Sequence, residues 1–493
     1  MTATETKTQY ETIIGLEVHV QLATESKAFC ADAVQFGSEP NTHTSVISLA
    51  HPGTLPRANK RQIEFATRLG LALGCKINER SFFDRKNYFY ADLPKGYQIT
   101  QDRTPICVGG ALEINFIDPK TQKPTTKIIK IHHIHMEEDA GKSIHDQDPS
   151  VSFIDLNRAG TPLLEIVTMP DLRSGEEVDA FMTGMRHLVR WVGVSDGNME
   201  EGSMRCDVNI SIRPEGSTEF MTRCEVKNVN SMRFARQAIK YEATRQQSIV
   251  EKGGQVEQNT LNFDPTTGRT TPLRSKENAH DYRYFPDPDL PPVVITPSFL
   301  EKIKSEMPLL PKEARQILME QYGLPEYDTN FLTEEIAVFN YAQSFLSQVA
   351  PTQYKAVSNL IINKILPAAN ELKIELTDFP LTISQLSDFL NLIETGKVSN
   401  SAAYQNLFPA LLDTPSVSAT EMAEKLNLFQ NSDTDFLEKI VQEVIEKNPQ
   451  KVAEYRKGKK GLLGFFMGEV MKASKGKAEP KTTNALVLKA LES

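Results

Sequence analysis

The sequence predicts an α+β protein, a large mixed domain followed by two helical ones. Three observations carry this. With 493 residues the chain is too long for a single core, so two to four domains are expected. From residue 10 to about 295, short β-like runs alternate with Gly, Pro and Asn punctuation. From about 296 the apolar residues recur at helical spacing instead. The predicted divisions are 1–295, an α+β domain; 296–410, an all-α middle domain; and 411–493, a small all-α, basic tail domain.

Each element follows from local pattern. Gly15–Leu22 reads as a strand with Leu16, Val18, Val20 and Leu22 on one face and Glu17, His19 and Gln21 on the other. Residues 131–143, Ile-His-His-Ile-His-Met-Glu-Glu-Asp-Ala-Gly-Lys-Ser, gather three of the chain's nine histidines with three carboxylates and a lysine. This run is either a metal and phosphate site or a polar hairpin end. Glu165 interrupts the apolar run Thr161–Val167, so it belongs at an edge or is buried with a partner, because unpaired burial costs several kcal/mol. Arg205–Arg213 is a second alternating strand, with Cys206, Val208, Ile210 and Ile212 against Arg205, Asp207, Asn209, Ser211 and Arg213. In Glu225-Val226-Lys227 the two charged residues share a face.

Further on, Thr333 is expected to cap a helix striped by Ile336, Phe339, Ala342, Leu346 and Val349. Thr382 and Gln385 have capping-box spacing before the stripe Leu386, Phe389, Leu390 and Ile393, which Gly396 ends. Pro409 and Pro415 mark a linker at about Phe408–Ser418. Phe436–Lys447 and Gly461–Ser474 then read as helices, the second with Leu462, Leu463, Phe466, Met467, Val470 and Met471 on one face.

Composition narrows the function classes. At 40% hydrophobic and 24% charged residues, the chain is of ordinary globular type. Its net charge of -9 argues against binding nucleic acid by charge alone. Lys451–Lys489, however, carries ten basic residues against three acidic ones, a balance of +7 that fits a tail touching phosphates or a solvated helical surface. Five scattered cysteines without a CxxC pair fit neither a disulfide framework nor a cysteine-built zinc site. With no apolar signal core and no run of about eighteen apolar residues, no membrane contact and a cytoplasmic location are expected.

The chemistry-bearing residues are hard ligands. Carboxylates with one or two imidazoles favour Mg²⁺, and flanking Arg and Lys are typical of nucleotide chemistry, where the ion bridges phosphates. Ala140-Gly141-Lys142-Ser143 has Met136 where a phosphate-binding loop has its first glycine. A nucleotide site would therefore lie on a sheet surface.

Six motifs, read together, are more specific. Gly15-Leu16-Glu17-Val18-His19-Val20, Asp84-Arg85-Lys86-Asn87-Tyr88-Phe89-Tyr90, the run His135–Ser143, Asp155–Leu163, Met199–Asp207 and Asp281-Tyr282-Arg283-Tyr284-Phe285-Pro286 occur in this order. The chain resembles the GatB family, the B subunits of aspartyl/glutamyl-tRNA amidotransferases, over essentially its whole length including Gly464–Lys477. The resemblance implies a heterotrimer in which the partners are an amidase, the A subunit, and a small C subunit. The GatB-like chain would bind a misacylated tRNA, phosphorylate the side-chain carboxylate with ATP, and form the amide with channelled ammonia. The resemblance implies a glutamine-synthetase-like cradle for the first domain. It assigns metal and phosphorylation chemistry with Mg²⁺ to Glu17, His19, Glu138 and Glu165, with Glu137 and Asp207 close by. Arg205, Lys142 and Asn209 become phosphate or ATP partners, and Lys86 and Tyr88 line the ammonia path. Arg456, Lys457, Lys472, Lys475 and Lys477 become tRNA contacts. Many members hold zinc with a Cys-x-Cys and a Cys-Pro-x-Cys. Here the matching stretches are Cys30-Ala31-Asp32 and Ser45-Val46-Ile47-Ser48, so no zinc is expected, and packing of Phe29, Phe36 and Ile47 would replace it around a leftover buried Cys30 thiol.

Two other classes compete. A non-catalytic tRNA-binding scaffold would need no Glu17, Glu138 and Glu165 together. A free-standing glutamine-synthetase-like ligase acting on a small amino acid would need no basic tail. No amidase nucleophile set is visible in the chain, which leaves glutamine hydrolysis to a partner.

Overall fold

A computed structural model describes residues 8–145, 148, 150–227, 229, 231–274, 282–430, 434–474 and 478–492. It has two compact units, Met1–Pro311 and Lys312–Ser493.

The first unit is built on a ten-stranded sheet. Its strands run in the order Arg269–Arg274, Thr260–Asp264, Cys224–Lys227, Met204–Pro214, Tyr10–Gln21, Pro162–Thr168, Pro124–Glu138, Cys107–Val108 and Lys76–Ile77, and Ala111–Ile117 also pairs with Pro124–Glu138. Nearly all neighbours are antiparallel; Cys224–Lys227 and Thr260–Asp264 are parallel. Tyr10–Gln21 is central. Its even residues Leu16, Val18 and Val20 are buried, as the alternation predicts, and leave Glu17, His19 and Gln21 for the other face. The apolar face is covered by helices Lys60–Ala72, Gly175–Trp191 and Met232–Glu251. Asn59, Ser174 and Ser231 cap these, each accepting a bond from a first-turn N–H. A three-stranded sheet, Phe285–Pro286, Asp84–Asn87 and Tyr97–Thr100, carries Lys86 opposite Gln98.

The stretches matched to the zinc motif are joined by polar contacts. The Asp32 carboxylate accepts the Ser45 N–H at 3.0 Å and the Ser48 hydroxyl, and Cys30 Sγ lies 3.5 Å from Ser48 Oγ. Phe29 is buried, edge-on to Phe83, but Phe36 is 69% exposed and Cys30 is only half-buried, so the expected apolar replacement is corrected to a carboxylate–hydroxyl clip.

The second unit is helical. Helix Ile383–Glu394 has the predicted capping box of Thr382 and Gln385, and Leu386, Phe389 and Leu390 are buried; Leu392, not Ile393, completes the stripe. Thr333 does not cap the next helix. It ends the helix Glu326–Leu332, its hydroxyl donating back to Thr329 O at 2.7 Å, and Glu335 takes the cap position before Ile336–Leu346. Phe408–Asp413, expected as linker, is helix. Pro409 sits in its first turn, where a missing N–H costs nothing, just after a wide π-type turn at Ala403–Leu407. In the tail, Phe466 and Val470 of helix Leu463–Ala473 are fully buried among Leu437, Val487 and Leu491. No helix among the described residues is long and apolar enough to cross a membrane.

Candidate functional site

Register brings the polar residues of five strands to one face. His19 pairs with Glu165 on one side and Arg205 on the other; Glu17 pairs with Val167 and Asp207. Glu165 in turn faces His135, Leu163 faces Glu137, and Asn209 faces Glu225. Glu165 is thus in mid-sheet, and it has the partners its apolar run demanded. His19 Nε2 is 3.2 Å and His135 Nε2 3.5 Å from Glu165 Oε2. Both imidazoles also lie 3.7 Å from the Glu137 carboxylate.

Two groups of candidate metal ligands result: His19, Glu137 and Glu165, and beside them Glu17, Asp207 and Glu225, the ligand atoms of each group within 4.8 Å of one another. Lys227 reaches across the second group, 2.9 Å from Asp207 Oδ2 and 2.8 Å from Glu225 Oε1. Asn209, expected as a phosphate partner, donates its Nδ2 to Glu17 Oε1 at 2.9 Å and so orients a candidate ligand.

The electrostatics fit a cation. Burial, then the Glu165 charge, push the Glu17 carboxyl above its usual range despite the Asn209 bond. Burial works against a charged His135, but the Glu165 and Glu137 carboxylates outweigh it and raise its pKa to about 10; His19 moves the same way. The two imidazoles hold Glu165 well below the carboxylate range against the effect of burial. Protons and Lys227 thus balance a surplus of carboxylates that a divalent ion would neutralise. The oxygen-rich donor set suits Mg²⁺.

The face opens into a cavity of about 1030 Å³ lined also by Lys86, Tyr88, Arg223, Tyr282 and Tyr284. Lys86 Nζ lies 5.1 Å from the Tyr282 ring centre, and burial of its ammonium is outweighed by nearby Glu137. A second cavity, about 740 Å³, is lined by Gln21, Lys142, Asn157, Arg158 and Arg205. Three of these lining residues converge on Asp139, whose Oδ2 accepts Gln21 Nε2 and Arg205 Nη2, both at 2.7 Å, with Arg158 Nε at 3.8 Å. Arg158 also donates to the carbonyls of Ala140 and Gly141.

Of the predicted residues, Glu17, His19, Glu137, Glu165 and Asp207 come together, with Lys86 and Tyr88 over them. Arg205 and Lys142 face the second cavity. Glu138 is not brought to the cluster. Adjacent strand residues point to opposite faces, and Glu138 instead accepts the Ile99 N–H at 2.9 Å and pairs with Lys95. Arg456 and Lys472 are exposed on tail helices and Lys457 on the turn after Pro449–Arg456; Lys475 and Lys477 lie outside the described residues. Sequence reasoning left Glu225 out of the ligand set and His135 out of the site, where it pairs with Glu165 and Glu137, although two-residue spacing from Lys227 and Glu137 marks both. Asp139 and Arg158 sit in or beside loops and carry no such signal.

A family model described as the GatB/GatE catalytic domain matches residues 12–301, and one described as a GatB domain matches residues 343–491. The chain is 47% identical to the B subunit of the aspartyl/glutamyl-tRNA(Asn/Gln) amidotransferase of Geotalea daltonii, over 98% of this chain and 100% of that one. It is 45% identical to the protein of the same name from Thermodesulfovibrio yellowstonii, over 98% and 100%, and 45% identical to that from Salinibacter ruber, over 98% and 97%.

Proposed function

The chain belongs to the GatB/GatE family, as a B subunit of a tRNA-dependent amidotransferase, and from that premise we propose that it carries the ATP-dependent chemistry of the complex. The single observation that carries this is the pair of ligand groups on one sheet face, His19–Glu137–Glu165 and Glu17–Asp207–Glu225, beneath two lysines. A scaffold has no use for six candidate ligand residues, five half-buried and Glu137 buried, gathered on one sheet face.

The substrate is a misacylated tRNA, Glu-tRNA(Gln) or Asp-tRNA(Asn), whose aminoacyl end enters the larger cavity. An oxygen of its side-chain carboxylate attacks the γ-phosphorus of ATP, and ADP leaves. Ammonia then attacks the carbonyl carbon of the acyl phosphate, phosphate departs with the bridging oxygen, and the nitrogen loses a proton to give the amide. The two ligand groups would hold Mg²⁺, which supplies charge neutralisation between triphosphate and carboxylate. Lys86 remains an ammonium because of nearby Glu137, and screens the developing phosphate charge. Tyr88, its phenol pushed up first by burial and then by Glu137, remains neutral and offers a hydroxyl to uncharged ammonia. Arg158, Arg205 and Lys142 in the neighbouring cavity suit the triphosphate, and the exposed Arg456, Lys457 and Lys472 suit the tRNA body. Ammonia comes from a glutamine-hydrolysing partner, the amidase or A subunit, and a small C subunit completes a cytoplasmic heterotrimer.

The test supplies ammonium in place of glutamine to the complex and follows Glu-tRNA(Gln) conversion with and without Mg-ATP, for the parent and E17Q. We expect ATP-dependent conversion in the parent, and its loss in E17Q with tRNA affinity retained. Loss of tRNA binding in proportion to activity would support the scaffold instead.

A further inference from the structure

Glu137 and Glu138 are consecutive carboxylates at the end of one strand, and the strand's alternation separates them completely. Glu137 joins His19 and His135 in the large cavity. Glu138, 2% exposed, lies on the other side. Its Oε1 accepts the N–H of the fully buried Ile99 at 2.9 Å and pairs with the Lys95 ammonium, which also lies 5.7 Å from the Phe29 ring centre and 5.6 Å from that of Tyr97. The Glu138 carbonyl accepts Gln98 Nε2 at 2.5 Å, and Gln98 Oε1 accepts the Tyr88 hydroxyl at 3.3 Å. Gln98 is the register partner of Lys86. The cavity beside Glu138 is about 20 Å³, room for about one water and not for a phosphate or an aminoacyl group. Gly160, at φ +84°, closes over its other oxygen: a Cβ there would stand 3.8 Å from Glu138 Oε2.

We propose that Glu138 is a positioning residue and not a ligand: its carboxylate clamps segment 95–99 and thereby sets Lys86 and Tyr88 over the ligand groups. Turning it toward the cluster would strip a buried N–H and an ammonium of their acceptor at once. The inference rests on the reading of the site given above and deepens it, dividing two adjacent glutamates between chemistry and alignment.

The test uses the full chain in its complex with two readouts. The first is hydrogen exchange of the Ile99 amide in E138A, and in K95M as a milder variant. The clamp predicts exchange at least tenfold faster in E138A and a smaller increase in K95M. The second is Mn²⁺ affinity by electron paramagnetic resonance in E138Q, E137Q and E165Q. E138Q, which keeps an acceptor for Ile99, should stay within twofold of the parent, while E137Q and E165Q weaken at least tenfold. E138A should also raise the KM for ammonium more than it lowers ATP-dependent acyl-phosphate formation. Unchanged Ile99 exchange in E138A, or Mn²⁺ binding by E138Q as weak as by E137Q, overturns the proposal. Undiminished Mn²⁺ binding in E137Q and E165Q would instead overturn the reading of the metal site, and the exchange result would still decide the clamp.

Discussion

Glu165 sets the character of the site, because two imidazoles approach one of its oxygens from neighbouring strands. Changing it to Gln removes the charge shared by both rings and the charged oxygen of its candidate ligand group. E165Q should lower ATP-dependent amidation at least about 100-fold and leave the tRNA Kd within about twofold, as read by single-turnover conversion and filter binding. Asp139 makes a separate prediction. Burial works against its charge, but Arg205 and Arg158 outweigh burial and hold its carboxyl below the ordinary value of 3.8. A depressed carboxylate contributes stability that is full above its unfolded pKa and is lost as pH falls through the folded one. D139N should therefore cost about 2 kcal/mol at pH 7, at the lower end for charged bonds because both guanidiniums keep about a third of their surface exposed. The cost should shrink below pH 4. Thermal unfolding of both proteins at pH 7 and pH 3 checks this, and an equal difference at the two values would contradict it. Individual site residues were legible wherever strand alternation governed them, as at Glu17, His19 and Asp207. Between Glu137 and Glu138, pattern alone could not choose, because which residue faces the cluster depends on the register with Leu163 and Pro162.

At the scale of elements, local rules held where a side chain caps its own helix. The Thr382 and Gln385 box is one such case, and T382A should destabilise the second unit by about 1 kcal/mol, visible as a lower midpoint in urea. Rules failed where a residue serves two neighbours. Thr333 has the chemistry of a cap, yet its hydroxyl returns to Thr329, because the preceding helix ends there. Pro409 looks like a breaker, yet a wide turn upstream leaves it in a first turn that needs no N–H. The sheet order itself was not legible. Tyr10–Gln21 lies between strands about 150 and 190 residues later, and nothing local in the sequence announces such pairing.

At the scale of the whole molecule, the chain is acidic with a net charge of -9, yet Lys451–Lys489 carries a balance of +7, which suits the proposed tRNA contact. If Arg456, Lys457 and Lys472 each meet a phosphate, the triple Ala variant should weaken tRNA binding. It should also flatten the slope of log K against log salt by about 2, while amidation at saturating tRNA is unchanged. A parallel loss of maximal rate would mean that the tail does more than bind. The central claim is that the carboxylate is phosphorylated on this chain before the amide forms. The most direct measurement starts from tRNA charged with glutamate carrying ¹⁸O in its side-chain carboxylate, given to the complex with Mg-ATP and ammonium. The released phosphate should contain one ¹⁸O per amide formed, because the bridging oxygen leaves with phosphorus. Phosphate free of ¹⁸O, with amide still produced, would contradict the account.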